Sequence, residues 1–289
     1  MSIKDNKIII EASRKYINIQ SCLIREMEIT QKMCNSILKN SIVLIDNDKN
    51  VLKKIIRKGT KIEVIFQNEE DGITPHDGKL DIIYEDLNVL VLNKFAGESV
   101  YSKDTNKITV ASKVKFYFLK SNLHTKIRFV NRLDYNTSGI IIIAKNAYAH
   151  SYLQKQVEER TIVKKYIAYV NGIFDYNNLE ITSKISSYCD DDKKYFIDDN
   201  GLEAKTIIEK CEQFEDISKL YIEIKTGRTH QIRVHLSSMG FPIVGDELYG
   251  FKNNSISRQA LHAYEYCVKV PLQGHLKFIA PIPKDLLVF

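Results

Sequence analysis

The chain has 289 residues and 33.4 kDa, enough for one large domain or two at roughly 100–200 residues each. With 44% hydrophobic and 27% charged residues it has the composition of an ordinary folded protein, which excludes a disordered, collagenous or acidic-tail chain. The formal charge of +6 and pI of 8.8 suit a nucleic-acid partner but fall short of the pI above about 9 that marks a basic footprint by itself.

The longest aliphatic run, Ile140 to Ala144, is far below the ~20 residues of a spanning helix, so no membrane partner is expected. The opening MSIKDNKIIIEASRK lacks the roughly 7–15-residue apolar core of a signal peptide, and a cytoplasmic location is expected. Cys22, Cys34, Cys189, Cys211 and Cys267 are far apart and form no Cys-x-x-Cys pair. Reduced, mostly buried thiols are expected, not disulfides or a zinc site.

Residues 1–75 hold 13 Lys and Arg against 10 Asp and Glu, while the other 214 residues hold 29 against 26, so the same excess is concentrated in the shorter part. There the pattern predicts a strand at Ile8–Glu11, two helical stretches between Tyr16 and Leu38, and strands at Ile42–Asp46 and Lys61–Phe66. Asp46-Asn47-Asp48 and Arg57-Lys58-Gly59 are turn signals. Gln67 to Lys79 has linker composition, which divides the chain into residues 1–75 and 76–289.

Beyond the linker, strands are predicted at Ile82–Tyr84, Val89–Asn93, Ile140–Ala144 and Tyr166–Val170, with helices at Thr109–Leu119 and Tyr148–Glu159. Leu202–Cys211 and Leu220–Lys225 read as a further strand pair, and Asp190 to Lys194 as a solvated hairpin tip. The fold class expected is α+β, a small basic module followed by a larger mixed domain.

Three segments carry chemical interest. In Asn131-Arg132-Leu133-Asp134-Tyr135-Asn136-Thr137-Ser138-Gly139 a polar, turn-prone stretch feeds the apolar Ile140–Ala144 strand and places Asp134 on a braced loop. That position serves a catalytic carboxylate, and equally an Asx turn or a helix cap. In Lys164 to Gly172, Tyr166, Ala168 and Val170 share one strand face and Tyr169 points the other way, so Tyr166 either packs in the core or stacks on a base.

The third segment runs from Thr226 through Arg228, Thr229, His230, Arg233 and His235 to Gly240, then Asp246 and Tyr249. Thr229 is expected to cap a helix ending at Gly240, with His230 and Arg233 three apart on one side. His230 and His235 lack the i, i+4 spacing of paired helical ligands, so no metal site is read. Arg228 and Arg233 suit anion or carboxylate partners. A hydrolase built on His230, His235 and Asp134 lacks a G-x-S-x-G nucleophile motif.

Taken together, NRLDYNTSG with its aliphatic strand, KKYIAYVNG, and TGRTHQIRVHLSSMGFPIVGDELYG resemble the signature segments of the ribosomal large-subunit type of pseudouridine synthase. Tyr84-Glu85-Asp86, Val91 to Lys94, Leu261-His262-Ala263 and Ala280 to Pro283 extend the resemblance over about residues 80–285. It implies a synthase domain with a central mixed, mostly antiparallel sheet. The first 75 residues resemble a degenerate form of the small alpha-L-type RNA-binding module that precedes it.

The implied reaction isomerises uridine to pseudouridine in RNA, ribosomal RNA favoured over transfer RNA, by a monomer without cofactor or metal. Asp134 is implied as the essential carboxylate, paired with Arg233 by charge and two hydrogen bonds, and Tyr166 as the ring that stacks on the flipped uracil. Leu261 packs beside the base, Arg132 fills the space it vacates, and Thr137, Arg228 and His230 join the substrate site. Arg25, Lys39, Lys53, Lys54, Arg57 and Lys58 are candidate phosphate contacts of the module. Asn131 stands where the family usually has histidine, Phe95 where it has proline, and Tyr101 where histidine is common. A rival reading is a non-catalytic RNA-binding or ribosome-assembly protein that keeps the fold.

Overall fold

Period-2 alternation builds the first sheet. In the computed structural model, which describes residues 6–49, 55–187 and 194–287, strand β1 (Lys7–Glu11) turns Ile8 and Ile10 inward and Ile9 outward. Helices α1 (Ile19–Glu26) and α2 (Gln31–Asn40) follow, their first turns capped by the Asn18 and Thr30 side chains. Ile19, Cys22 and Leu23, spaced i, i+3, i+4, are buried beneath α1. Strands β2 (Ser41–Ile45) and β3 (Lys61–Phe66) complete an antiparallel three-stranded sheet in the order β1-β3-β2. After β2, Asp46 and Asn47 adopt left-handed φ values of 48° and 68°, the turn that their residue types signal. The core of this sheet, with Ile8, Leu23, Met27, Ile62 and Val64, takes in the distant Tyr148, and Tyr152 packs against it.

Residues 67–81 have no regular structure, yet they are strapped down and not free as linker composition suggests. Glu69 pairs with Arg128 at 2.6 Å, and Asp71 pairs with Lys115 at 3.0 Å while accepting the Ile127 N–H at 2.8 Å.

The larger sheet has 11 strands. In chain order come β4 (Ile82–Glu85), β5 (Val89–Lys94), α3 (Val110–Lys120), β6 (Arg128–Phe129), β7 (Ser138–Ala144), α4 (Ala147–Glu158) and β8 (Val163–Asn171). Then follow β9 (Leu179–Ser187), β10 (Tyr195–Ile197), β11 (Leu202–Phe214), β12 (Ile217–Ile224), α5 (Gln231–Ser238), β13 (Leu261–Val270) and β14 (Gly274–Ile279). The strand order is β10-β9-β11-β12-β8-β13-β7-β5-β4, with β14 on β13 and β6 on β7. Every pairing is antiparallel except β13 with β7, so the sheet is mixed and mostly antiparallel, as expected.

The central strand β7 is buried on both faces, which is why it is continuously apolar and not alternating. Ile141 and Ile143 pack against α3, and Ile140 and Ile142 face the main core with Leu153 and Tyr166. Strands β9, β10, β13 and β14 are not among those expected from the sequence, although β9 and β14 alternate in burial along their length. Cys22 and Cys34 are buried free thiols, Cys211 and Cys267 are half-buried, and Cys189 lies outside the described residues, as do Asp190 to Lys193 of the expected hairpin tip.

Candidate active site

Asp134 sits on the loop between β6 and β7, and buried cations hold that loop from below. Lys94, at the end of β5 and 2% exposed, donates to the carbonyls of Phe95, Glu98 and Tyr135 at 2.8–2.9 Å. Burial pulls its ammonium down to about 8. Arg258 donates through Nη1 to the carbonyls of Asn136 and Leu261, while Asp285 anchors its Nε at 2.6 Å. Gln259 donates to the Thr137 hydroxyl at 3.3 Å. Gly139, at φ +114°, lets β7 touch β13: a Cβ there would lie 2.2 Å from the Ala263 carbonyl oxygen.

The start of α5 differs from expectation. Thr229 does not cap it; His230 does, in a left-handed conformation at φ 57° and without a side-chain cap bond. Among the described residues no side chain caps the first turn; the Gln231 side chain instead holds the segment leading into the helix, accepting the Arg228 N–H and the Thr226 hydroxyl while donating to the Lys205 carbonyl. This frees the His230 imidazole for the site, where Nδ1 meets the Tyr249 hydroxyl at 2.9 Å and Nε2 lies 3.8 Å from Asp134 Oδ2. The Tyr249 oxygen also accepts the Tyr195 N–H, and a neutral imidazole that takes the Tyr249 proton on Nδ1 would turn its own ring hydrogen, on Nε2, to Asp134. Burial lowers the imidazole below its ordinary value, which favours this neutral form.

Arg233, one turn along, is divided between two carboxylates. Its Nε and Nη2 bind Asp246 Oδ2 and Oδ1 at 2.7 and 2.8 Å, and its Nη1 reaches Asp134 Oδ2 at 3.3 Å. The two-pronged hydrogen bond expected with Asp134 is therefore made to Asp246, a 1% exposed carboxylate whose role the sequence reading missed. The guanidinium also lies 4.9 Å from the Tyr249 ring centroid. On the far side of α5, His235 is fully buried between Ser183 and Thr206, well apart from any hydrolytic arrangement with Asp134.

One open pocket, with about 430 Å³ of empty space including its mouth, is lined by Arg132, Asp134, Thr137, Tyr166, Arg228, His230, Arg233 and Leu261. All the residues expected to meet the substrate, drawn from stretches up to 129 positions apart, thus face one space. Burial holds the Tyr166 phenol well above its ordinary value, and its hydroxyl lies 2.7 Å from that of Tyr266. Arg132 is exposed at the mouth, without an ion-pair partner among the described residues. From the mouth a wider groove continues past Arg160, Lys164, Lys225 and Arg228, with Glu158 on its wall.

The module's candidates lie apart from this pocket. Arg25, Lys39, Arg57 and Lys58 are exposed on the smaller sheet and its helices, and Lys53 and Lys54 fall outside the described residues. Besides Asp246, the sequence reading gave no role to Lys94, Tyr249, Arg258 or Tyr266. The signal for Lys94 was a lysine closing a strand that opens with four apolar residues, Val89 to Leu92, since lysine is almost never buried without partners.

Residues 88–238 match the family described as RNA pseudouridylate synthase. The chain is 34% identical over 246 residues to the uncharacterized RNA pseudouridine synthase YhcT of Bacillus subtilis, covering 83% of this chain and 82% of that protein. It is 35% identical over 254 residues to ribosomal large subunit pseudouridine synthase D of Borreliella burgdorferi, covering 82% and 77%. The fold is that of human RNA pseudouridylate synthase domain containing 4, with a TM-score of 0.59 at 21% identity over 72% of this chain and 90% of that one. The chain belongs to the RNA pseudouridine synthase family that its motifs resemble, and is an isomerase that converts uridine to pseudouridine in RNA.

Proposed function

We propose that Asp134 is the essential carboxylate of this isomerase and that the pocket around it holds a uridine flipped out of RNA. The observation that carries this reading is the convergence of Asp134, Arg233, Tyr166 and Leu261 on one space, with Asp134 Oδ2 3.3 Å from the Arg233 guanidinium. The reaction detaches uracil from C1′, rotates it, and rejoins it through C5, whose hydrogen leaves as a proton. Asp134 supplies the carboxylate that acts on the nucleoside, with Arg233 providing the neighbouring positive charge. Tyr166 and Leu261 give the detached base an apolar, aromatic surface to turn against. Thr137, Arg228 and His230 line its edge.

Flipping costs a few kcal/mol of lost stacking, which phosphate contacts must offset. Arg132 at the mouth takes the space the base leaves, and Arg160, Lys164, Lys225 and Arg228 line a groove for the backbone. Residues 1–75 serve as a separate RNA-binding module through Arg25, Lys39, Arg57 and Lys58, with 76–289 as the synthase domain. The name of the Borreliella relative favours large-subunit ribosomal RNA as the substrate. We place the protein in the cytoplasm as a monomer; none of its helices among the described residues is long and apolar enough to cross a membrane.

The test is release of tritium from C5-labelled uridine in ribosomal and transfer RNA transcripts, assayed separately. Wild-type protein is expected to release label from ribosomal RNA and Asp134→Asn to release none. Equal release by both would remove Asp134 from the chemistry, and release from transfer RNA alone would overturn the substrate assignment.

A further inference from the structure

In the wall of the groove that reaches Asp134, Asn131 occupies a gap along one edge of β7. The β6 pairing stops at Phe129 with Ile143, and the β13 pairing begins at Ser138, leaving Ile140 and Ile142 between them. The Asn131 carboxamide fills the gap: Oδ1 accepts the Ile142 N–H at 2.8 Å, and Nδ2 donates to the Ile140 carbonyl at 3.0 Å. A backbone N–H cannot accept and a carbonyl cannot donate, so the main chain dictates which end of the amide is which.

The remaining Nδ2 hydrogen points to the Tyr266 hydroxyl oxygen, 3.3 Å away. Tyr266 is 1% exposed, and among the described residues its hydroxyl has one further hydrogen-bond neighbour, the Tyr166 hydroxyl at 2.7 Å. With its oxygen accepting from Asn131, Tyr266 is free to donate its own proton to the Tyr166 oxygen. In the opposite arrangement the Tyr266 proton has no acceptor among the described residues, and a buried donor left unmade costs about 1–3 kcal/mol. The Tyr166 proton is then turned away from Tyr266, and Tyr166 lines the pocket that holds Asp134.

We infer that Asn131 and Tyr266 form a one-way hydrogen-bond chain that presents Tyr166 to the active site as a proton donor, and so are positioning residues for this reaction. The inference rests on the Asp134-centred pocket proposed above. It assigns the tyrosine a neutral, hydrogen-bond-donating part facing the carboxylate or a uracil carbonyl, and not that of a phenolate base. Burial of the Tyr166 phenol acts in the same sense, since it resists ionisation. It also gives Asn131, the departure from the family's usual histidine, a definite task.

The experiment is single-turnover tritium release with Tyr266→Phe, Asn131→Asp, Tyr166→Phe and the double variant Tyr166→Phe/Tyr266→Phe, with Asp134→Asn as the reference for the site. Tyr266→Phe removes only a hydroxyl, and is expected to slow the chemical step about tenfold or more while RNA affinity stays within about twofold. Asn131→Asp keeps the acceptor for Ile142 but turns an oxygen on Tyr266, which reverses the chain and is expected to slow the step similarly. In the Tyr166→Phe background the Tyr266 change is expected to cost nothing further, because both act through one hydroxyl.

The wild-type rate should show no rise with pH between 6 and 9. A tenfold rise per pH unit, a wild-type rate for Tyr266→Phe, or full additivity in the double variant each overturns the chain. If Asp134→Asn is inactive while Tyr266→Phe is normal, only this inference fails. If Asp134→Asn is active, the active-site reading beneath it fails.

Discussion

Arg233 shows how one side chain can be both legible and misread. A guanidinium three residues from His230 on a helix promised a carboxylate partner, and it has one in Asp134 at 3.3 Å. Its two-pronged partner is nevertheless Asp246, nearer in sequence and wholly buried, which holds the plane of the guanidinium and leaves one arm for Asp134. Lys94 works in the same indirect way, fixing the Tyr135 carbonyl beside Asp134 through one of three ammonium hydrogen bonds. Its folded value of about 8 is below the ordinary 10.5, so it loses its proton as pH rises through about 8. A neutral amine donates two hydrogens to three carbonyls, and the Asp134 loop loosens. Activity is therefore expected to fall on the alkaline side above about pH 8, and the limb should vanish in Lys94→Gln, which should be slow at every pH. A pH profile of tritium release checks this.

At the scale of elements, β7 decides where the site is. Its strand was legible from Ile140 to Ala144 because two buried faces demand an unbroken apolar run. The approach of β13 was not, since the parallel contact between Gly139 and Ala263 joins residues 124 positions apart without any shared pattern. Gly139→Ala puts a Cβ 2.2 Å from the Ala263 carbonyl at a φ of +114°, with backbone on the far side and no room to yield. A loss of about 3 kcal/mol or more is expected from strain of this kind, with tritium release falling as the Asp134 loop shifts. Chemical denaturation should show a lower midpoint at unchanged slope, and a midpoint equal to wild type would contradict the close approach. The N-terminus of α5 teaches the related lesson. Thr229 has the chemistry of a cap, but the cap position falls on His230 in a left-handed turn, and the Gln231 side chain holds the Arg228 N–H just ahead of the helix.

Across the whole molecule, the charge is modest and its effect lies in placement. The groove leading from the pocket carries Arg160, Lys164, Lys225 and Arg228 against Glu158, where RNA phosphates would have to run. RNA affinity is expected to fall with salt in proportion to the phosphates met, by about 0.7 in logarithmic slope per contact on single strands. Arg160→Gln/Lys225→Gln is expected to flatten that slope by one to two contacts while leaving single-turnover chemistry at saturating RNA close to wild type. Filter-binding across a salt series measures it, and an unchanged slope would take the backbone out of this groove. The two sheets are also joined: Tyr148 of α4 enters the core of the smaller one and donates to the Met27 carbonyl at 2.9 Å, and Lys269 pairs with Glu28 at 2.5 Å. The segment with linker composition is pinned by Glu69 and Asp71, so composition there reported local backbone freedom and not attachment.

By itself the sequence determined the order and type of most elements, the α+β class, the family, and which residue types would meet at the pocket. Periodicity is a local property, and the segments NRLDYNTSG, KKYIAYVNG and TGRTHQIRVHLSSMGFPIVGDELYG each hold their information within one short stretch. Only the tertiary structure decided who holds whom: Asp246 on Arg233, Arg258 on the Asn136 carbonyl, Tyr266 and Asn131 behind Tyr166. Those pairings cross the sheet between residues up to 135 positions apart. They depend on strand order and register, which arise from the burial of the whole apolar set at once, and no single segment encodes them.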